Sequence, residues 1–227
     1  MIQSKLLISG TDCTGEAATW LKDSESLLWV DIDNGVLHQY DGKNGATTNH
    51  FLPEMISSII PVSSNDAEVV LAMKNRMVVY NLYKQCFTTI CDFTAIRPQW
   101  RTNDCKCSPD GRLWCGIMNM THHDHNAFVY LVDRHGAAVK VIDKQCIPNG
   151  VVWNKHGDRL YYADSGRGCI EEYAYDMQTG NIRFLRTAVT VSPELGVPDG
   201  MTIDADGNLW VAHWGGFGVY VWNPTNG

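Results

Sequence analysis

Pro198–Trp214 reads PDGMTIDADGNLWVAHW, and its plan recurs along the chain. Two turn signals, Pro198-Asp199-Gly200 and Asp206-Gly207, bracket short apolar runs. Asp and Asn before Gly tolerate φ > 0, so this pattern predicts hairpin turns between strands. Pro148–Ser165 (PNGVVWNKHGDRLYYADS), Asn103–Met118 (NDCKCSPDGRLWCGIM) and Glu16–Ile32 (EAATWLKDSESLLWVDI) follow the same plan, and AEVVLAM around Val69 is a weaker fifth copy. Anchored at Leu28, Val69, Leu113, Leu160 and Leu209, the copies are 41, 44, 47 and 49 residues apart. That spacing suits a four-stranded propeller blade of roughly 40–50 residues. Third strands are predicted at Val36–Asp41, Met77–Asn81, Phe128–Asp133, Ile170–Asp176 and Val219–Asn223.

Inner strands of a propeller surround a central channel, so equivalent positions at their starts meet on one face. Those positions hold Glu16, Ser57, Asn103, Asn149 and Asp199. Taken singly, Asn149 and Asp199 are explained as turn formers before Gly. The set is not, because Glu16 and Asn103 share the register without a following Gly.

The 227 residues fit one all-β domain, 1–227, with blade-like repeats at about 11–50, 51–95, 101–145, 146–190 and 196–227. Net charge is −7, with no basic run, which argues against nucleic acid and anionic membrane surfaces as partners. The N-terminus has no secretory apolar core, and no stretch approaches the roughly 18 apolar residues of a membrane span. None of the eight cysteines forms a CxxC pair, and several fall on strands as small apolar residues; the reading is a reducing, cytoplasmic setting. Trp29, Trp114, Trp153 and Trp210 lie in repeat strands as core, with Trp100 and Trp214 as channel-wall candidates. Ser4–Ser9 reads as a leading strand that can complete a blade built by the other end of the chain. His122, His123 and His125, in NMTHHDHNA, have zinc- or copper-binding side chains. Nothing in a flexible loop holds those rings around one point, so the reading is a polar loop.

The motifs Gly15-Glu16 with LLWVDI, RTNDCKCSPDGRLWCGIM (Arg101–Met118), PNGVVWNKHGDRLYYADS and PDGMTIDADGNLWVA resemble, in collinear order, the regucalcin and gluconolactonase family of six-bladed propellers. The resemblance implies an all-β, six-bladed β-propeller type of fold, of which about five blades are present, with C-terminal truncation. It implies one divalent metal near the axis, held by Glu16, Asn149 and Asp199, and substrate contacts from Arg101 and Asn103. Two further departures stand out: Cys105 replaces the Gly usual after the Asn-Asp pair, and the acidic residue some relatives carry in the loop after the third-unit motif has no obvious match in NMTHHDHNA.

Carboxylate and amide oxygens suit calcium, magnesium or manganese, and zinc is compatible. Three protein ligands leave positions for water and substrate. The activity implied is a divalent-metal-dependent hydrolase opening sugar lactones, with the metal polarising the carbonyl and Asp199 activating water. The alternatives are a non-catalytic metal-binding or regulatory propeller and an inactive truncated fragment. No G-x-S-x-G, H-E-x-x-H or P-loop motif competes.

Overall fold

Ser26–Asp31, SLLWVD, buries Ser26, Leu28 and Val30 while Leu27 and Trp29 stay half-buried, the period-two pattern of a strand. The computed structural model describes residues 5–62, 65–93, 98–121 and 125–226. Within those residues nearly all regular structure is of this kind. Sheet one holds β1 (Gly15–Leu21), β2 (Ser26–Asp31), β3 (Val36–Asp41) and β4 (Thr47–Phe51). Sheet two holds β5 (Ile56–Pro61), β6 (Glu68–Met73), β7 (Arg76–Asn81) and β8 (Cys86–Asp92). Sheet three holds β9 (Trp100–Cys107), β10 (Leu113–Asn119), β11 (Ala127–Val132) and β12 (Ala138–Gln145). Sheet four holds β13 (Pro148–Trp153), β14 (Arg159–Asp164), β15 (Cys169–Tyr175) and β16 (Ile182–Thr190), and sheet five holds β17 (Val197–Ile203), β18 (Leu209–Trp214) and β19 (Gly218–Trp222). Each sheet is an antiparallel meander whose strands pair in chain order. The five are arranged as propeller blades, and the predicted third strands are β3, β7, β11, β15 and β19 to within a residue.

The core lies between blades. Leu28, Val30 and Leu37 of sheet one meet Ile56, Leu71 and Val78 of sheet two. Ala72 and Met77 meet Cys115 and Ile117; Trp114 and Val129 meet Trp153 and Tyr162; Tyr161 and Ile170 meet Leu209 and Val211. The inner strands pack in the order β1–β5–β9–β13–β17, and among the described residues no comparable packing joins β17 to β1. Trp20 on sheet one and Trp214, Val219 and Val221 on sheet five are exposed.

Three local expectations are corrected. Pro198-Asp199-Gly200 and Asn149-Gly150 are not hairpin turns but lie inside β17 and β13, because the inner strands absorb an extra residue there as a bulge. Lys5–Ser9 is not a strand, and Ser4 lies outside the described residues. That segment joins neither sheet one, which is already four-stranded, nor the three-stranded sheet five, and Leu6 and Leu7 are exposed. Neither channel-wall tryptophan is one: Trp100 is buried between sheets two and three, and Trp214 is 74% exposed. Of the four core tryptophans, Trp114 and Trp153 are buried. Trp29 and Trp210 are half-buried and donate Nε1–H to Asp12 and Asp204.

At Gly150 β13 lies close against β17. A Cβ there would lie 2.6 Å from Met201 Cγ and 2.7 Å from both the Asp199 carbonyl and the Met201 nitrogen. Gly150→Ala should therefore destabilise the chain by about 1–3 kcal/mol, read as a lower urea midpoint. Gly200→Ala is the control, since its nearest neighbour would be Asp104 Oδ2 at 3.6 Å; equal midpoints for the two variants contradict the account.

Candidate active site in the central channel

Every inner strand carries one residue more than its neighbour at the same level. In β1 the ladder steps from Glu16↔Val30 to Thr19↔Leu28. In β5 it steps from Ile56↔Met73 to Ser58↔Ala72. In β9 it steps from Thr102↔Ile117 to Cys105↔Cys115. In β13 it steps from Pro148↔Asp164 to Val151↔Tyr162, and in β17 from Pro198↔His213 to Met201↔Val211. The extra residue interrupts the alternation of side chains and re-aims the local ones. Ala17, at the β1 bulge, has φ +56°. Glu16 adjoins its bulge, whereas Ser57, Asn103, Asn149 and Asp199 sit within theirs.

A continuous hydrogen-bond chain crosses three blades. Arg101 Nη1 donates to Asn103 Oδ1 (2.7 Å) and to the Thr102 carbonyl (2.8 Å). Asn103 Nδ2 donates to the Pro148 carbonyl (2.7 Å) and to Asn149 Oδ1 (3.1 Å). Asn149 Nδ2 donates to Ser165 Oγ (2.7 Å), which donates to the Pro198 carbonyl (2.6 Å). From the other side, Ser57 and Ser58 hydroxyls donate to the Asn103 carbonyl at 2.9 and 3.0 Å. Ser57 is thus a buried brace for β9 rather than a channel ligand.

Beside this chain lies a cavity of about 810 Å³, lined by Glu16, Asp104, Lys106 and Asp199 among others. Asn149 and Asn103 are buried behind it. Burial and the neighbouring Asp199 and Asp104 carboxylates push Glu16 up to about 8. Asp104 touches channel solvent but sits deep among protein atoms; burial and then Asp199 push it to about 7, against the pull of Lys106 and Arg101. Asp199 is raised by burial, with the Gly200 N–H and Arg101 opposing. Lys106 is lowered by burial, offset by Asp104, and its Nζ donates to the Met201 carbonyl at 3.3 Å. The Glu16 and Asp199 carboxylates are donors that fit a divalent cation, since a cation reverses the repulsion by which Asp199 and Asp104 raise Glu16. Among the described residues no three His, Cys, Asp or Glu side chains are arranged as a metal cluster; the implied set of Glu16, Asn149 and Asp199 has only two carboxylates, with an amide as its third donor.

Residues 14–227 match the model of the SMP-30/gluconolactonase/LRE-like region. The chain belongs to this family. It is 31% identical over 232 residues to regucalcin of Xenopus laevis, covering 100% of this chain and 77% of that protein. To the pentonolactonase XacC of Haloferax volcanii it is 33% identical over 211 residues, covering 91% of this chain and 69% of that one. The solved regucalcin of Agrobacterium tumefaciens superposes with a TM-score of 0.89 at 24% identity, over 97% of this chain and 74% of that chain. Membership accounts for the propeller and for the collinear motifs.

The reading from sequence did not single out Asp104 and Lys106. A signal existed, since they are i and i+2 on one strand and share a face. Plain alternation from Asn103, however, would turn Asp104 away from it; the bulge brings both toward the channel. His125 is exposed and its Nδ1 lies 2.8 Å from Cys146 Sγ, while His122 and His123 lie outside the described residues. Among the described residues no helix is long and apolar enough to cross a membrane.

The carboxylates give a pH signature. Without a divalent cation, the folded chain holds protons on Glu16 (about 8 against an ordinary 4.5) and Asp104 (about 7 against 3.8) that the unfolded chain releases. A raised folded-state pKa means stability present below the unfolded value and lost as pH rises through the folded one. In chelator, the urea midpoint should fall between about pH 5 and about pH 8, and Glu16→Gln and Asp104→Asn should each flatten that fall. A midpoint flat across this window, or a fall unchanged in both variants, contradicts the assignment.

Proposed function

We propose that this chain is a divalent-metal-dependent hydrolase that opens sugar lactones. The observation that carries the reading is the meeting of Glu16, Asp104 and Asp199 at one channel, with Arg101 near enough to oppose the rise of Glu16. It is supported by family membership and by a relative named a pentonolactonase.

Glu16, Asn149 and Asp199 would hold one divalent ion: calcium, manganese, magnesium or zinc. When bound, that ion supplies Lewis-acid polarisation of the lactone carbonyl and lowers the pKa of water. Asp199 is the general base, taking the proton of the attacking water. Burial raises its carboxyl, toward a better base, while Arg101 and the Gly200 N–H oppose that rise. Arg101 spends Nη1 on the backbone and on Asn103, leaving its other guanidinium donors for substrate hydroxyls or the ring oxygen. Both Nδ2 hydrogens of Asn103 are spent on Pro148 and Asn149. Its remaining offer to substrate is an Oδ1 lone pair, and its larger role is to fix Arg101 relative to Asn149.

A second reading is a metal-binding propeller without useful turnover, supported by the solved relative described as a calcium-binding protein and by the weaker packing, among the described residues, between β17 and β1. The two separate in one assay: hydrolysis of a panel of aldonolactones with each ion, with chelator, and without protein. The lactonase reading expects chelator-sensitive turnover that Asp199→Ala lowers by about 10²–10⁴-fold. Calorimetric ion binding at Glu16 and Asp199 with no turnover of any lactone establishes the second reading instead.

A further inference from the structure

Cys105 on β9 and Cys115 on β10 face each other directly across the ladder, and their sulfur atoms lie 2.9 Å apart. Both are free thiols. Cys115 is fully buried, whereas Cys105 is 8% exposed and lines the channel. A disulfide needs Cα atoms about 4.4–6.8 Å apart and sulfurs about 2.05 Å apart. Directly opposed residues of antiparallel strands already sit about 4.5–5.5 Å apart, so the sulfurs have less than about 1 Å to travel.

The surroundings tolerate the bond. Each thiol would give up one S–H. The Cys105 S–H points at the Asn103 carbonyl at 3.3 Å, which keeps the Ser57 and Ser58 hydroxyls as donors when that hydrogen is gone. No buried acceptor is orphaned, which is the usual cost of removing a donor. The Cys115 S–H makes only a long contact to the Gly116 carbonyl at 3.8 Å. The bond would also close the ladder immediately beside the Asn103–Asp104 bulge.

We propose that Cys105 and Cys115 form a reversible cross-strand disulfide, closed by a hydroperoxide that enters through the channel, and that closing it stiffens the bulge carrying Asn103 and Asp104. Cys105 reacts first because it, and not the fully buried Cys115, lines the channel and retains exposure. Its thiolate attacks the peroxide, the O–O bond breaks, and a sulfenic acid and water (or alcohol) result. The Cys115 sulfur then attacks the Cys105 sulfur and expels the hydroxyl, which leaves as water with the Cys115 proton. Two thiols thereby give two electrons to one peroxide, and a dithiol reductant reverses the change. Burial, with Cys105 adding to it, raises the Cys115 thiol, so the second sulfur relies on proximity rather than on being a thiolate.

The test treats the full chain with hydrogen peroxide, blocks remaining thiols under denaturing conditions, and maps tryptic peptides. Thr102–Lys106 and Leu113–Arg134 each hold one cysteine and are separated by cleavage at Lys106 and Arg112. The expected result is one linked pair of these peptides, lighter by two hydrogens, lost on dithiothreitol and absent from Cys115→Ala. Linkage of either cysteine to Cys91, which lies in the same buried cluster, overturns the assignment, as does Cys105 oxidised to a sulfinic or sulfonic acid without linkage. This mapping is made on the unsubstituted chain, so it stands even if Cys115→Ala fails to fold. Amide exchange over residues 102–106 should slow in the oxidised chain; an unchanged rate there overturns the coupling to the bulge.

Discussion

One extra residue in each inner strand is the constraint on which the channel depends. A regular strand shows alternate side chains to opposite faces, so a channel lined by regular strands has one inward residue in two and no control over depth. The bulge breaks that rule at the same level in all five blades. It brings successive residues such as Asn103 and Asp104 toward the axis. Bulged strands also twist more strongly, and they leave backbone groups to be paired elsewhere. Here they are paired across blades: the Asn103 carbonyl with two serine hydroxyls of β5, the Pro148 carbonyl with Asn103, the Pro198 carbonyl with Ser165. The irregularity that aims the side chains thus also supplies the acceptors that lock neighbouring blades in register.

The same geometry sets the electrostatics. Three carboxylates and two cations face one channel, and the cations are not placed symmetrically. Arg101 opposes the charge of Glu16, Asp104 and Asp199, while Lys106 opposes Asp104. Glu16 is raised by burial and by Asp199 and Asp104, with Arg101 in opposition. Asp104 is raised by burial and Asp199, with Lys106 and Arg101 in opposition. A structural network would neutralise each acid locally, as Glu172 is between Arg159 and Arg186 on the outer strands. The channel leaves a negative excess, and perturbed acids in a cleft mark functional sites more often than scaffold.

The fold was legible because repeats write it several times over. Leu28, Leu113, Leu160 and Leu209 recur at blade spacing, and each is buried or half-buried on a second strand. The convergence of Glu16 and Asp199 on one cavity was legible by position for the same reason. The bulges were not. Pro198-Asp199-Gly200 has the composition of a turn, and single-sequence chemistry does not separate a turn from a bulge, since both need small or polar residues with freedom in φ. That ambiguity hid Asp104 and Lys106, whose inward aim depends on a one-residue offset in the ladder. It also hid the bracing role of Ser57. Its register was right, but only packing against Thr102 and Asn103 reveals that it faces a neighbouring blade.

The site is not equally constrained on all sides. Arg101, Asn103, Asn149 and Ser165 are tied by hydrogen bonds through blades three, four and five, and four apolar cores fix consecutive blades against one another. Glu16 reaches the same channel from β1, whose packing neighbour among the inner strands is β5. Its separation from Asp199 on β17 is therefore set by the sum of four blade interfaces rather than by a direct contact. In the metal-dependent reading, an ion shared by Glu16 and Asp199 draws together the two strands that flank the weakly packed side. It would be a ligand and a tie at once, and part of its binding energy would be spent on holding β1 against β17. Such a coupling between ion affinity and ring geometry would distinguish this channel from a pocket built within one rigid blade.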